Sequence, residues 1–245
     1  MKGFDISMTQ YETSVPYALR PDSVEAINAI FRKVYQYMAL GLILTALTAY
    51  ITASSPAAIR LLFSSSTPLV IIAIVEVILV MYLSAALMKL STMTALSLFM
   101  AYSVLNGVLC STVLLVYTSG SIYQAFFSTA GMFGAMSLYG LYTKRDLTSM
   151  GSFFRMGLWG LLITMLINFF VGSSTLEIAI SFLGIIIFLG LTAYDTAKIK
   201  TMAEESDWSD GNMIGRIAVI GALELYLDFV NLFLHLLSLF GKHKD

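Results

Sequence analysis

Long apolar segments dominate this sequence and decide what it can fold into. A bilayer span needs about 20 mostly apolar residues. Soluble domains carry about 25% charged residues, whereas this chain has 12% charged and 58% hydrophobic residues. In lipid, runs of this length form helices, because only helices and closed barrels pair every backbone polar group and barrel strands are shorter. The sequence predicts an all-α integral membrane protein with seven transmembrane helices, at Val34 to Ala53, Leu69 to Met88, Thr94 to Val116, Ile122 to Leu141, Phe153 to Gly172, Leu176 to Tyr194 and Ile217 to Phe240.

Polar segments flank this transmembrane domain, which covers residues 31–241. Residues 1–30 are predicted to form a cytoplasmic N-terminal segment, and residues 242–245 form a short charged tail. Loops rich in Lys and Arg stay in the cytoplasm. Of the 14 such residues, only Arg60, Lys242 and Lys244 lie on the side opposite the N-terminus. This distribution predicts a cytoplasmic N-terminus and an external C-terminus; because the tail is basic, a re-entrant last segment is the alternative.

Charge and cysteine content exclude several kinds of site. The formal net charge of −1 offers no basic surface for a nucleic-acid backbone. Cys110 is the single cysteine, so an internal disulfide is excluded, and one cysteine with two histidines cannot build a zinc site of His and Cys ligands. No resident cofactor is predicted. The expected partners are the lipid bilayer, protons, and Ca²⁺ or other cations with oxygen ligands.

Four acidic residues lie at or near membrane depth. They are Glu76 in the second predicted span, Asp195 at the end of the sixth, and Glu224 and Asp228 in the seventh. Ionisable groups at this depth are costly and are usually functional. No Lys or Arg lies within the predicted spans that carry these acids. We therefore expect the acids to carry a proton, to contact water or to bind a cation.

The last predicted span carries a narrow polar stripe. At about 100° per residue, Glu224, Asp228, Asn231 and His235 fall within roughly 60° of one another on the helix surface. The pattern favours a helix that faces a cavity or pore over one whose polar groups only bond neighbouring helices. His235 is expected to remain neutral and to form hydrogen bonds. Helix depth allows Asp195 to meet either Asp228 or Glu224.

Three segments resemble a known family. They are TAGMFGAMSLYGLYTKRDL at 129–147, GLTAYDTAKIK at 190–200 and GALELYLDFVNLFLHLLSLFG at 221–241. Together they are similar to the Bax inhibitor-1 (transmembrane Bax inhibitor motif) family in its bacterial branch. The resemblance implies that the last of seven helices is central in the bundle and that an aspartate pair, here Asp195 and Asp228, governs a pH-sensitive Ca²⁺ leak. It also implies a basic residue in helix 2, where this sequence has Ser84, Ala85, Ala86 and Leu87.

The predicted function is therefore a pH-sensitive Ca²⁺ leak channel in the inner membrane. Asp195 and Asp228 are the candidate pH sensor and Ca²⁺ ligands, since Ca²⁺ prefers carboxylate oxygens. Glu224, Asn231 and His235 would line the path.

The sequence leaves two alternative functions to be weighed, an intramembrane protease and a regulator that works by contact. Intramembrane aspartyl proteases also carry two aspartates, but this chain lacks their Gly-x-Gly-Asp and Pro-Ala-Leu motifs, and no enzymatic activity is expected. A regulator that binds another membrane protein, such as a membrane protease or a stress or cell-death factor, would need a docking face. The small residues of the fourth span are candidates for it, although internal packing is the favoured interpretation; they are Gly131, Gly134, Ala135, Ser137 and Gly140.

Overall fold

A computed structural model describes residues 21–86, 89–145, 147–206 and 211–244, so residues 1–20 of the predicted N-terminal segment lie outside it. Helices are the only regular secondary structure among the described residues, apart from one isolated β-bridge between Tyr117 and His243. The helices are α1 (Pro21–Ser54), α2 (Pro56–Phe63), α3 (Thr67–Ala86), α4 (Thr92–Val116), α5 (Ser119–Tyr142), α6 (Thr148–Val171), α7 (Ser174–Glu204) and α8 (Gly211–Phe240).

Six of these helices are long and apolar enough to cross a membrane, namely α1, α3, α4, α6, α7 and α8. The chain is therefore a multi-pass membrane protein. The remaining long helix, α5, occupies the predicted fourth span without any charged residue, but its glycine, serine and tyrosine residues lower its mean hydropathy. Residues 21–30, predicted as part of the polar segment, belong to α1, where Ile27 and Ile30 are buried.

Short polar sequences set where the spans begin and end. The side chains of Ser91, Thr118 and Ser173 accept a backbone N–H bond at the starts of α4, α5 and α7, as N-cap residues do. After α6, Gly172 has a φ of 65°, the left-handed conformation that favours glycine. The α6–α7 connection is therefore tight, and these two helices pack side by side.

The α4–α5 connection is equally short, comprising Tyr117 and Thr118. A connection of this length predicts that the two helices are close neighbours, yet they make few contacts with each other. Each of them packs instead against α8. A short loop fixes the distance between two helix ends and leaves the rest of each helix free to follow other partners.

Helix α8 is the most buried of the six candidate spans. In its most apolar stretch 67% of residues are buried, compared with 44% for α7 and 11% for α3 and α6. It packs against α1, α4, α5 and α7, and Leu225, Tyr226 and Leu232 are completely enclosed. The acidic residues of this helix therefore face protein, and their surroundings are set by neighbouring helices.

Small residues allow the closest helix crossings. A Cβ atom added at Gly140 of α5 would overlap the carbonyl oxygen of Ala193 and lie 2.9 Å from Thr196 Cβ on α7. Ser137, one turn earlier, also packs inward and bonds Thr196 Oγ1 at 3.1 Å. At Gly131 and Gly134 the added atom would meet no described atom within 4 Å. The prediction of internal packing is thus correct for one end of this small-residue face and wrong for the other.

Hydrogen bonds at both ends of α8 connect it to the two ends of α4. Arg216 Nε near its start donates to Leu90 O at 2.8 Å, just before α4 begins. At its other end, Thr118 N donates to Lys242 O at 3.0 Å and Lys244 N to Val116 O at 2.8 Å, where α4 ends. The helix is continuous over 30 residues. It runs alongside α4 from one end of that helix to the other.

Candidate functional site

Asp195 of α7 and Asp228 of α8 come together inside the bundle. Their carboxyl groups lie within hydrogen-bonding range of each other. Asp228 is only 3% exposed, and Asp195 is partly buried. Ionised carboxylates only accept hydrogen bonds, so a bond between two carboxyl groups requires a proton on one of them. Of the two partners that the sequence allowed for Asp195, Asp228 makes the side-chain contact.

Glu224 lies one turn before Asp228 and completes an acidic cluster, defined here as Asp195, Glu224 and Asp228. Its Oε1 atom forms an ion pair with Lys198 Nζ of α7. Lys198 also interacts electrostatically with both aspartates, and Arg155 of α6 interacts with Asp195. The cluster therefore has basic neighbours.

This cation corrects the expectation that the acids lack a Lys or Arg partner. The apolar run ends at Tyr194, which predicts a cytoplasmic loop at Lys198, but α7 continues as a helix to Glu204. Residues three apart on a helix share a face, so Lys198 points to the same side as Asp195. That spacing is the signal in the sequence that could have found it. Basic groups on α6 and α7 thus act electrostatically on the aspartate pair, whereas the second predicted span, α3, has Ser84 and Ala85 in the region of the expected cation.

Two oxygen atoms of the acidic cluster are left without partners. Asp228 Oδ2 and Glu224 Oε2 are buried and have no hydrogen-bond partner among the described residues. Such atoms are rare in native proteins and usually indicate a proton, a water molecule or an ion.

The cluster does not form a metal cage. In the described part of the chain, no group of three or more His, Cys, Asp or Glu residues is arranged to hold a metal ion. Ca²⁺ takes about six to eight oxygen ligands, of which Asp195 and Asp228 would supply a part. Their arrangement is chemically suited to exchanging protons and to brief contact with a hydrated cation.

The other two residues of the predicted stripe, Asn231 and His235, have partners outside the cluster. Asn231 Nδ2 donates to Leu227 O of its own helix at 2.8 Å. His235 is buried, and its ring stacks on Phe188 of α7 at a centroid distance of 5.7 Å. It occupies space that Gly184 leaves open, because a Cβ atom there would overlap the imidazole. The structure thus brings Glu224 and Asp228 together with Asp195, whereas neither Asn231 nor His235 forms a hydrogen bond with these acids among the described residues.

Glu76 belongs to a second polar network. This residue is 7% exposed, and its Oε1 atom accepts a hydrogen bond from Asn106 Nδ2 of α4 at 2.6 Å. Asn106 Oδ1 in turn accepts one from the Tyr226 hydroxyl of α8 at 3.1 Å. Tyr226 and Asp228 lie about 160° apart around α8, so the Glu76 network and the acidic cluster occupy different faces of that helix. The sequence indicated Glu76 but not Tyr226, whose long apolar surroundings hide its role.

Comparison with known proteins places these residues in a family. A family model described as "Inhibitor of apoptosis-promoting Bax1" matches residues 27–245. The inner membrane protein YbhL of Escherichia coli K12 is 44% identical over 229 residues, which cover 92% of this chain and 98% of YbhL. An uncharacterized protein of Borreliella burgdorferi is 43% identical, covering 89% of this chain and 94% of its own. Protein RP147 of Rickettsia prowazekii, also uncharacterized, is 42% identical, covering 90% and 92%.

Proposed function

Because this chain belongs to the Bax inhibitor-1 family, as its three motifs indicated, we propose that it is a pH-sensitive Ca²⁺ leak channel of a bacterial inner membrane. The observation that carries the proposal is the contact between Asp195 and Asp228, with Asp228 Oδ2 buried and unpartnered among the described residues. The printed name of YbhL supports the inner-membrane location.

The proposal includes a topology. Helices α1 and α3 to α8 form seven spans, with α5 as the fourth and α8 at the centre of the bundle. The N-terminus lies in the cytoplasm and the C-terminus outside, in line with the distribution of Lys and Arg. The lower hydropathy of α5 is compatible with a span, because one face of this helix packs against α7 and α8.

The aspartate pair would act as the pH sensor. A shared proton holds the two carboxyl groups, and therefore α7 and α8, in contact. When both groups are ionised they repel each other and offer oxygen atoms to water or to a cation. Lys198 and Arg155 compete with a cation for these oxygens. They thus take the place of the basic residue that the family pattern puts in the second span, here α3. Ca²⁺ is cargo in this proposal, and no catalytic step is assigned to the pair.

Ca²⁺ flux into dye-loaded proteoliposomes, measured across pH, tests this function. We expect a pH-dependent flux for the native protein, and a flux midpoint that moves or disappears in Asp195→Asn and in Asp228→Asn. Glu224→Gln shows whether the whole cluster or only the aspartate pair matters. Glu177→Gln is the matched control, because Glu177 is an exposed acid at the far end of the same helix as Asp195.

Size-exclusion profiles and melting temperatures of the variants separate lost function from lost folding. If folded native protein passes no Ca²⁺ at any pH, the channel proposal is wrong. The same holds if both aspartate variants keep the native pH profile. A regulator that works by contact with another membrane protein then becomes the better account.

A further inference from the structure

A cavity with basic walls opens at one end of the bundle. It lies where α5 and α7 both end, and its volume is about 340 Å³. Among the described residues that line it, four are basic and Glu204 is the one acid; the basic residues are Lys144, Arg145, Lys198 and Lys200. We call this feature the basic cavity. Its volume is within the range of about 300–1,000 Å³ that is usual for ligand sites.

The four basic side chains differ in whether they already have a partner within the protein. Lys200 Nζ donates to Leu141 O at 3.1 Å, which caps the end of α5, and lies 4.0 Å from Glu204. Lys144 and Arg145 are exposed, and neither forms an ion pair with another described residue. Two positive groups at the mouth of the cavity are therefore available to an anion.

We propose that the basic cavity binds an anionic phosphate group. Arg and Lys are the side chains that recognise phosphate, Arg through parallel hydrogen bonds and Lys as a point charge. The position of the cavity suits a lipid, since it lies at the end of the candidate span α7, and the proposed topology puts that end at the level of the cytoplasmic headgroups. The same chemistry fits an anionic lipid headgroup or free phosphate.

Lys198 connects the basic cavity to the acidic cluster. It lines the cavity and also pairs with Glu224. A phosphate bound beside it competes with the Glu224 carboxylate for one ammonium group. Any effect of this competition on ion flux rests on the proposed function, whereas phosphate binding itself does not.

The test uses the full chain purified in a neutral detergent. Its melting temperature is measured with short-chain phosphatidylglycerol, with short-chain phosphatidylcholine, and with inorganic phosphate against chloride at equal ionic strength. We expect phosphatidylglycerol to raise the melting temperature and phosphatidylcholine to leave it unchanged. The rise should be lost in the variant that combines Lys144→Ala with Arg145→Ala. A rise with inorganic phosphate that the same variant loses supports the cavity with free phosphate as its ligand.

The matched control combines Arg32→Ala with Lys33→Ala, an exposed basic pair on α1, on the same predicted side of the membrane. This control should keep the full response. Native mass spectrometry gives a second readout, in which the cavity variant retains fewer phosphatidylglycerol molecules than the control. The proposal is overturned if neither anion raises the melting temperature, or if the cavity variant responds as the control does.

Discussion

At the scale of single residues, Lys198 alters the chemistry of the acids around it. An acid enclosed by helices needs a partner, and Lys198 supplies one to Glu224. Asp195 and Asp228 are left facing each other, with one carboxylate of the cluster already neutralised. All three carboxyl groups lie close together, but only Glu224 forms an ion pair with Lys198. This pairing distinguishes Glu224 from the two aspartates.

The Lys198–Glu224 pair should be measurable by a double-mutant cycle. We expect Lys198→Met and Glu224→Gln each to lower the free energy of unfolding in mixed micelles, and the double variant to lose less than the sum. The side chains are 38% and 26% exposed, so solvent screens the pair and the coupling should be about 1 kcal/mol or less.

Lys198→Arg keeps the charge and is the control for this cycle. It should lose less stability than Lys198→Met. Strict additivity of the two single substitutions would show that the ion pair contributes nothing to stability.

At the scale of helices, the small residues of α5 do two different things. Gly140 lets α5 approach the backbone of α7, next to the residues that precede Asp195. Gly134, less than two turns earlier, points to open space. The α5–α7 crossing therefore helps to set where the first aspartate of the pair lies.

Alanine substitution should separate these two positions. Gly140→Ala forces its methyl group against Ala193 and Thr196, and such overpacking typically costs about 1–3 kcal/mol. Gly134→Ala meets no described atom and should be neutral or stabilising by up to about 1 kcal/mol, because alanine favours helix formation. Melting temperatures in detergent compare the two variants directly; equal values for both would contradict the close crossing.

At the scale of the whole molecule, α8 runs from one end of the bundle to the other and is hydrogen-bonded to neighbouring segments at both ends. The helix starts beside the beginning of α4, and its tail bonds the α4–α5 connection. In the proposed topology this tail lies outside the cell, although Lys242 and Lys244 are basic. Contacts with the loop, and not the charge of the tail alone, hold it at that end.

Cysteine labelling checks this topology. In a Cys110→Ser background, Ser65→Cys and Lys242→Cys should react with a membrane-impermeant thiol reagent in intact cells. Lys144→Cys should react only after permeabilisation. It follows the last residue of α5, whereas the C-terminal tail contacts the connection before the first residue of that helix. Ser65, Lys144 and Lys242 are all exposed, so access to the reagent is decided by the membrane. Labelling of Lys242→Cys only after permeabilisation would place the C-terminus in the cytoplasm.

Much of this protein follows from the sequence alone, because the relevant signals are local. Runs of apolar residues predict helices in lipid, and three motifs indicate the family that the comparisons confirm. Asp195 and Asp228 lie on two late helices, and their side chains lean toward the N-terminus of each helix. These two local facts are enough to allow the contact between them.

Tertiary structure decided what the local signals leave open, because helical periodicity does not say which faces meet or how far a helix extends beyond its apolar run. The extension of α7 to Glu204 brought Lys198 to Glu224. Packing of α3 and α8 on α4 enclosed Glu76 with Asn106 and placed it apart from the acidic cluster. Partners such as these depend on contacts between residues far apart in the chain, and only the folded bundle determines them.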